Sequence, residues 1–220
     1  EQMQILLAIL VLLPFVSALL LALCGSDRMR RLIVYGSAGV LMISAVAFAV
    51  CFFSGENLQL RFLQSGGIID HTMLALEAGF AVLITVLSIK HRRYYVAVLS
   101  IVQTVLTFVY ELGGYKPAVQ PYNLFTDQLT VIMVLIIAVV GTLITVYAVG
   151  YMRDYHNHHK EYTDRRRFFF AMLYVFLGAM FGLVLSNSLL WLYFFWEITS
   201  IVSFLLIGYT RTKEAVQNSF

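Results

Sequence analysis

The chain has 220 residues, of which 60% are hydrophobic and 12% are charged, and its formal net charge is +3. Soluble domains carry about 45 to 50% apolar and about 25% charged residues, so this composition excludes an ordinary soluble domain. Two cysteines and three prolines also exclude a disulfide scaffold and a Pro-rich linker. The composition predicts an all-α integral membrane protein, a polytopic bundle of transmembrane helices.

Seven apolar runs follow one another along the chain, each close to the roughly 20 residues that cross a bilayer as a helix. They are Ile5–Cys24, Leu32–Phe53, Met73–Ile89, Tyr95–Leu112, Leu129–Met152, Phe168–Leu185 and Leu189–Tyr209. The first run does not read as a cleavable signal peptide, because no basic residue precedes it and a second span follows at once. The third and fourth runs are at the short end, and a single re-entrant hairpin is the alternative for this pair.

Basic residues predict the orientation, because loops rich in Lys and Arg stay on the cytoplasmic side. All Lys and Arg residues except Arg61 and Lys116 follow the first, third, fifth or seventh span. This pattern places the N-terminus outside and Phe220 inside, and it is lost if either helix of the third and fourth pair is removed. Cys24 and Cys51 then lie at opposite membrane faces, too far apart for a disulfide.

The loops carry two motifs with local interpretations. The outer loops, 54–70 and 113–127, are short and rich in Gly and Pro, so we expect turns there rather than a domain. Asp127, after Thr126, predicts an N-cap for the fifth span, with a part in ion entry as the alternative.

In the inner loop, three histidines with two acidic residues suggest a metal site. A solvated loop is favoured, because no Cys or second cluster completes a ligand set. These loop residues are His156, His158, His159, Glu161 and Asp164.

Glu197 lies about two residues from the centre of the seventh span, hence roughly 3 Å from the membrane midplane. A charge at that depth costs about 2.5 to 3.5 kcal/mol on insertion scales, so such a residue faces the bundle interior and takes a polar partner. Burial disfavours the ionised carboxylate, which suits a group that exchanges a proton readily near neutral pH. Glu197 is therefore the predicted catalytic residue, an intramembrane proton carrier.

Hydroxyl side chains close to Glu197 predict a short hydrogen-bonded path along the same helix. The candidates for this path are Tyr193, Thr199, Ser200 and Ser203. The alternative is a Glu197 that is permanently paired with a basic residue of a neighbouring helix and only stabilises packing.

Glu77 is the second candidate acid. It lies roughly 5 Å from the midplane if the third span covers 73–89. Moving the helix boundary by one turn would put its side chain at the outer interface, where it could reach water, and this placement is favoured.

Six stretches of the second half carry a family resemblance. They are Leu124–Leu129, Tyr151–Arg153, Arg167–Phe170, Ser186–Leu190, Phe195–Ser200 and Leu205–Tyr209. The Trp-Glu pair at 196–197, followed by a Ser-containing stretch and Leu-Ile-Gly-Tyr, is the most specific. From Asn123 onward the chain resembles the N-terminal half of the antiporter-like, proton-conducting subunits. This family is shared by respiratory complex I, energy-converting membrane-bound hydrogenases and Mrp-type Na⁺/H⁺ antiporters.

The resemblance implies that Glu197 corresponds to the family's membrane-embedded glutamate, which works with a lysine on a later, broken helix. It implies a multi-pass protein of the cytoplasmic membrane that translocates H⁺ or Na⁺ as a subunit of a redox-driven complex. The partners would be the lipid bilayer, other membrane subunits and a peripheral redox arm, with no nucleic acid. Iron–sulfur clusters, and a NiFe site or a flavin, are expected in the partner subunits, and no cofactor, metal or redox centre is expected here. A gradient-driven Mrp-type antiporter subunit and a purely structural membrane subunit are the alternatives.

Set against the family, the chain divides into three segments. Residues 1–56 form an N-terminal two-helix segment, residues 57–112 an inserted helical hairpin, and residues 113–220 the start of the antiporter-like core. The insertion falls between the family's second and third helices. The family's relay lysine and second inverted repeat lie beyond Phe220, and we expect a piece of a longer chain rather than a split subunit.

Overall fold

The computed structural model describes residues 2–55, 60–64, 68–112 and 122–219, and these ranges contain eight helices. The helices are α1 (Gln2–Leu23), α2 (Asp27–Ser54), α3 (Ile68–Lys90), α4 (Tyr94–Leu112), α5 (Gln128–His158), α6 (Arg166–Leu185), α7 (Leu189–Ile207) and α8 (Lys213–Ser219). Within the described ranges, six of them are long and apolar enough to cross a membrane, and α4 holds a shorter apolar stretch. The predicted polytopic helical bundle is confirmed, while its orientation stays a prediction.

The main bundle is built from α1, α2, α5, α6 and α7. Helix α1 packs between α2 and α6, α2 packs against α5, and α6 packs against α5 and α7. Large side chains fill the centre, among them Phe48, Phe52, Tyr174 and Phe181, all fully buried. Many apolar side chains point outward instead, as expected for helices whose outer faces meet lipid tails.

The segment predicted to be an insertion forms a hairpin of two helices, which we call the inserted hairpin. Helices α3 and α4 pack against each other, joined by a tight turn in which Arg92 adopts a positive φ of 58°. Helix α3 begins at Ile68, earlier than the predicted Met73. The hairpin contacts the main bundle through α3, which lies against α7. This contact brings the inserted segment beside the helix that carries Glu197.

Two short strands lie where turns alone were expected. Strand β1 (Leu60–Gln64) pairs antiparallel with β2 (Tyr122–Thr126), and Leu124 also forms a bridge with Ser186. The strands join the chain just before α3 to the chain just before α5, so the inserted hairpin leaves and re-enters the fold at one place. Runs of five residues in loops rich in turn-formers carry too little periodicity to be predicted.

Helix α5 is longer than its apolar run. Asp127 is its N-cap, as predicted, because its Oδ1 accepts hydrogen bonds from the Thr130 backbone N–H at 2.8 Å and from the Thr130 hydroxyl at 2.9 Å. These bonds lower the pKa of Asp127. At the other end α5 continues through His158, beyond the predicted Met152. The first part of the predicted solvated inner loop is therefore helical.

Candidate functional site

Glu197 lies within α7, which begins after the N-cap Ser188 and runs through an almost wholly apolar segment. The residue is 8% exposed within the bundle. Its Oε1 atom accepts hydrogen bonds from the Tyr193 hydroxyl at 2.7 Å and from the Gln103 side-chain amide at 3.3 Å. Its Oε2 atom is buried and has no hydrogen-bond partner among the residues that the structure describes. One carboxyl oxygen is thus held in place, and the other is available to carry a proton.

Gln103 is a contact that the sequence analysis missed. It lies on α4, more than 90 residues from Glu197, and its amide reaches across to α7. The sequence did contain a signal for this contact, because a Gln in the middle of an apolar helix is a polar group that needs a partner in lipid. Its partner, however, depends on how the inserted hairpin docks.

Glu77 lies near the middle of α3 and is only 1% exposed. Met73 and Phe80 share its helical face and pack against the apolar side chains of α7, with the Phe80 and Phe194 rings 5.6 Å apart. Because α3 starts earlier than predicted, Glu77 lies well inside the helix on the face that meets α7, and its depth in the membrane stays a prediction.

These four side chains form what we call the buried acid cluster. Its members are Glu77 on α3, Gln103 on α4, and Tyr193 and Glu197 on α7. The cluster lies at the junction of the inserted hairpin and the main bundle.

The other hydroxyls proposed for the path are satisfied by their own helix. Thr199 and Ser200 donate to the Trp196 carbonyl at 2.7 and 3.1 Å, and Ser203 donates to the Thr199 carbonyl at 2.8 Å. Of the predicted path residues, Tyr193 is the one that the described structure joins to Glu197. Ser200 instead lines a cavity of about 210 Å³ between the hairpin and α7, beside Ser88.

The inner histidines have partners of their own. His156 lies 3.3 Å from Asp164 and 3.2 Å from the Tyr209 hydroxyl, whereas His158 pairs with the Asp154 carbonyl and His159 with Glu161. Within the described ranges, no group of three or more His, Cys, Asp or Glu side chains is placed to hold a metal ion.

An ion-pair network closes the inner end of the bundle. Asp164 binds Arg166 at 2.6 Å, Arg166 lies 3.6 Å from Asp27, and Asp27 also pairs with Arg30. The hydrogen bond from Arg166 is the main cause that lowers the pKa of Asp164 to about 2. The network joins the beginnings of α2 and α6, and Arg165 extends it to the Tyr209 carbonyl beyond α7. It is a structural anchor, because it ties the ends of three helices together, and Asp164 stays ionised at neutral pH.

The apolar helices and their packing define the class of protein, a multi-pass helical membrane protein. Residues 120–169, which cover β2, α5 and the start of α6, match the family model described as NADH-ubiquinone oxidoreductase (complex I), chain 5 N-terminus. The chain is also 34% identical over 122 residues to a Na⁺/H⁺ antiporter subunit A1 of Staphylococcus haemolyticus (strain JCSC1435). It is 36% identical over 94 residues to the protein of the same name in Staphylococcus aureus (strain Newman).

These matches show that the chain is similar to the N-terminal part of antiporter-like membrane subunits, in agreement with the sequence resemblance. The bacterial relatives and the apolar helices also confirm the predicted location in the cell membrane. The alignments cover 56% and 43% of this chain but 14% and 11% of the two relatives. The family-model match ends before α7, so the role of Glu197 rests on its own geometry.

Proposed function

We propose that this chain is the ion-translocating part of an antiporter-type membrane subunit, in which Glu197 binds and releases a proton inside the membrane. The observation that carries the proposal is the carboxyl group itself. It is buried in a membrane-spanning helix, with one oxygen held by two neutral donors and the other without a described hydrogen-bond partner.

Neutral partners suit a proton carrier better than a fixed cation does. A permanent Lys or Arg partner would hold the carboxylate in its ionised form, because separating a buried ion pair is costly. The Tyr193 hydroxyl and the Gln103 amide can donate to Oε1 whether or not Oε2 carries a proton, since both lone-pair acceptors remain on Oε1. Protonation of Glu197 therefore requires no rearrangement of these two bonds.

An open groove of about 210 Å³ lies one helical turn from Glu197, toward the C-terminal end of α7. Most of its lining is apolar, and Ser88, Ser200 and Ser219 are the polar residues that a route to Glu197 would pass. Under the predicted topology this side faces the cytoplasm.

Translocation needs an energy source outside the chain. Moving one charge against 100 mV requires about 2.3 kcal/mol, which must arrive by coupling to another process. Two sources are compatible with the comparisons. A redox-driven complex with other membrane subunits is one, and the complex I family description is consistent with it. A gradient-driven cation/proton antiporter follows from the names of the staphylococcal relatives.

The test of the function is Glu197→Gln in the full-length protein within its native complex. We expect proton uptake into inverted membrane vesicles to fall at least about tenfold, because a positioned proton-transfer group contributes at least about 10²-fold. Assembly, followed by co-purification of the complex, should remain intact. Glu161→Gln is the matched control, because that carboxyl is exposed in the inner loop, and it should transport normally.

The outcomes of this test distinguish a proton-translocating subunit from a structural one. Unchanged proton uptake in Glu197→Gln would remove the proposed role. A loss of assembly instead of transport would favour a structural subunit. For the energy source, Na⁺-dependent proton exchange that persists without any electron donor indicates a gradient-driven antiporter, and dependence on a donor indicates a redox complex.

A further inference from the structure

An open cavity of about 800 Å³ lies at the inner end of the bundle, where α1 ends and both α2 and α6 begin. The charged side chains in its lining are four arginines and two aspartates, so the lining has two positive charges in excess. These residues are Asp27, Arg28, Arg30, Asp164, Arg166 and Arg167. The proposed function of Glu197 uses none of them.

The ion-pair network at this end of the bundle engages two of the four arginines. Arg30 and Arg166 pair with the two aspartates of the lining. Within the described part of the chain, Arg28 and Arg167 form no ion pair with an acidic side chain, and both are exposed. The excess positive charge therefore belongs to Arg28 and Arg167, whose guanidinium groups are available to a ligand.

Arginines of two helices converge on this cavity. Arg30 of α2 is buried, with 8% of its side chain exposed, and its guanidinium carbon lies 5.8 Å from the centre of the Phe170 ring on α6. Arg167 of α6 lies against the turn between α1 and α2, because a Cβ atom added to Gly25 would be 3.2 Å from its Nη2 atom. The cavity is thus a site built by three helices and not a row of charges along one of them.

The chemistry of the lining suits a phosphate group. Planar guanidinium groups bind phosphate oxygens through two parallel hydrogen bonds, and Arg is favoured wherever phosphate is recognised in this way. Helix α2 also begins at the cavity, and its N-cap Ser26 makes no side-chain cap hydrogen bond. The first backbone N–H groups of α2 therefore add partial positive charge on the same side.

An apolar helix face runs from the cavity along α2. Leu32, Tyr35 and Ile43 follow Arg28 at helical spacing, and each is at least half exposed. An acyl chain attached to a phosphate in the cavity would lie along this face, whereas a soluble phosphate would not use it. Under the predicted orientation the cavity faces the cytoplasmic leaflet, where basic pockets between transmembrane helices bind anionic headgroups.

We propose that this cavity binds the phosphate of an anionic phospholipid, with Arg28 and Arg167 as its main contacts and an acyl chain along α2. The negative headgroup offsets the excess positive charge of the lining. The bound lipid joins the turn between α1 and α2 to the beginning of α6. This site is independent of the proton chemistry at Glu197.

The first experiment uses the unmodified full-length protein in its complex, reconstituted in phosphatidylcholine nanodiscs. Photoactivatable phosphatidylglycerol is added at increasing mole fractions, and mass spectrometry locates the crosslinked peptides. We expect saturable crosslinking to residues 23–35. Photoactivatable phosphatidylcholine, which is zwitterionic, should label this segment weakly and without saturation. Equal labelling by both lipids, or no labelling of this segment by phosphatidylglycerol, would overturn the proposal.

The second experiment compares two double variants that remove the same charge. Arg28→Gln combined with Arg167→Gln should raise the half-saturating fraction of phosphatidylglycerol at least about tenfold, since two basic residues at an anionic headgroup are lost. Arg153→Gln combined with Lys160→Gln is the matched control, because both residues are exposed and lie outside the cavity. This control should bind like the wild type. Equal shifts in both double variants would show attraction by general charge and would contradict a specific site.

A competition measurement distinguishes the lipid from a soluble anion. Excess inorganic phosphate should reduce the crosslinking no more than sodium chloride of the same ionic strength, because the acyl chain adds contacts that phosphate lacks. Stronger displacement by phosphate than by chloride would assign the cavity to a soluble anion and overturn the assignment to a lipid.

Discussion

Most short hydroxyl side chains in this bundle bond their own helix, whereas some longer polar side chains reach a neighbouring helix. Thr142 and Ser203 donate to carbonyls four residues earlier, which is the usual solution for a short hydroxyl in an apolar helix. Tyr174 on α6 instead donates to the Val34 carbonyl on α2, and Gln103 on α4 donates to Glu197. Longer polar side chains therefore build the site, and short hydroxyls are largely satisfied locally.

Asp164, the acid of the ion-pair network between α2 and α6, titrates well below neutral pH. Because its pKa is lowered from 3.8 to about 2, Asp164 stabilises the folded protein fully above about pH 4 and loses that contribution as the pH falls through about 2. We expect Asp164→Asn to leave the pH profile of proton uptake between pH 5 and 9 unchanged. The free energy of unfolding of this variant should fall by at most about 1 kcal/mol, because the ion pair between Asp164 and Arg166 is partly exposed.

Vesicle assays at graded pH and thermal unfolding of the purified complex measure these two effects. A displaced pH profile in Asp164→Asn would show that this network takes part in transport and is not only an anchor.

At the scale of helices, the close contact between α6 and α7 depends on a glycine, which has no side chain. Lipid tails are as apolar as the helices, so association relies on tight packing at small residues. A Cβ atom added to Gly182 on α6 would lie 2.4 Å from the Phe195 ring of α7. A Cβ atom on Gly39 of α2 would meet nothing within 4 Å. The α6–α7 contact that positions Glu197 thus requires glycine at 182.

We expect Gly182→Ala to destabilise the protein by about 1–3 kcal/mol, the usual cost of overpacking. Gly39→Ala is the matched control and should be neutral or slightly stabilising, because Ala favours helices over Gly. Thermal unfolding of both variants in the same detergent measures the difference. Equal melting temperatures would show that α6 and α7 separate easily, contrary to the described packing.

At the scale of the whole molecule, the inserted hairpin joins the bundle at two places. Helix α3 packs on α7, and the β1–β2 pair ties together the chain before α3 and the chain before α5. This arrangement places α3 and α4 beside Glu197 rather than at the far side of α1 and α2. The same bundle must lie in the membrane in one orientation, which the positive loops predict.

Two native cysteines test that orientation. Cys24 follows α1 and Cys51 lies in the last turn of α2, and both are partly exposed. With the N-terminus outside, a membrane-impermeant maleimide should label Cys51 in right-side-out vesicles and Cys24 in inside-out vesicles. Mass spectrometry of the labelled peptides separates the two sites. Labelling of both from one side would contradict the assignment of α2 as a span.

The sequence alone predicted six long apolar helices and the shorter α4, the Asp127 N-cap of α5 and the place of Glu197 within α7. These features depend on residues close together in the chain, because hydropathy over about 20 residues and capping by one side chain are local properties. The tertiary structure alone decided that Gln103 donates to Glu197, that Glu77 faces α7, and that β1 pairs with β2. These contacts join residues far apart in sequence and depend on which helix faces meet, which local periodicity does not specify.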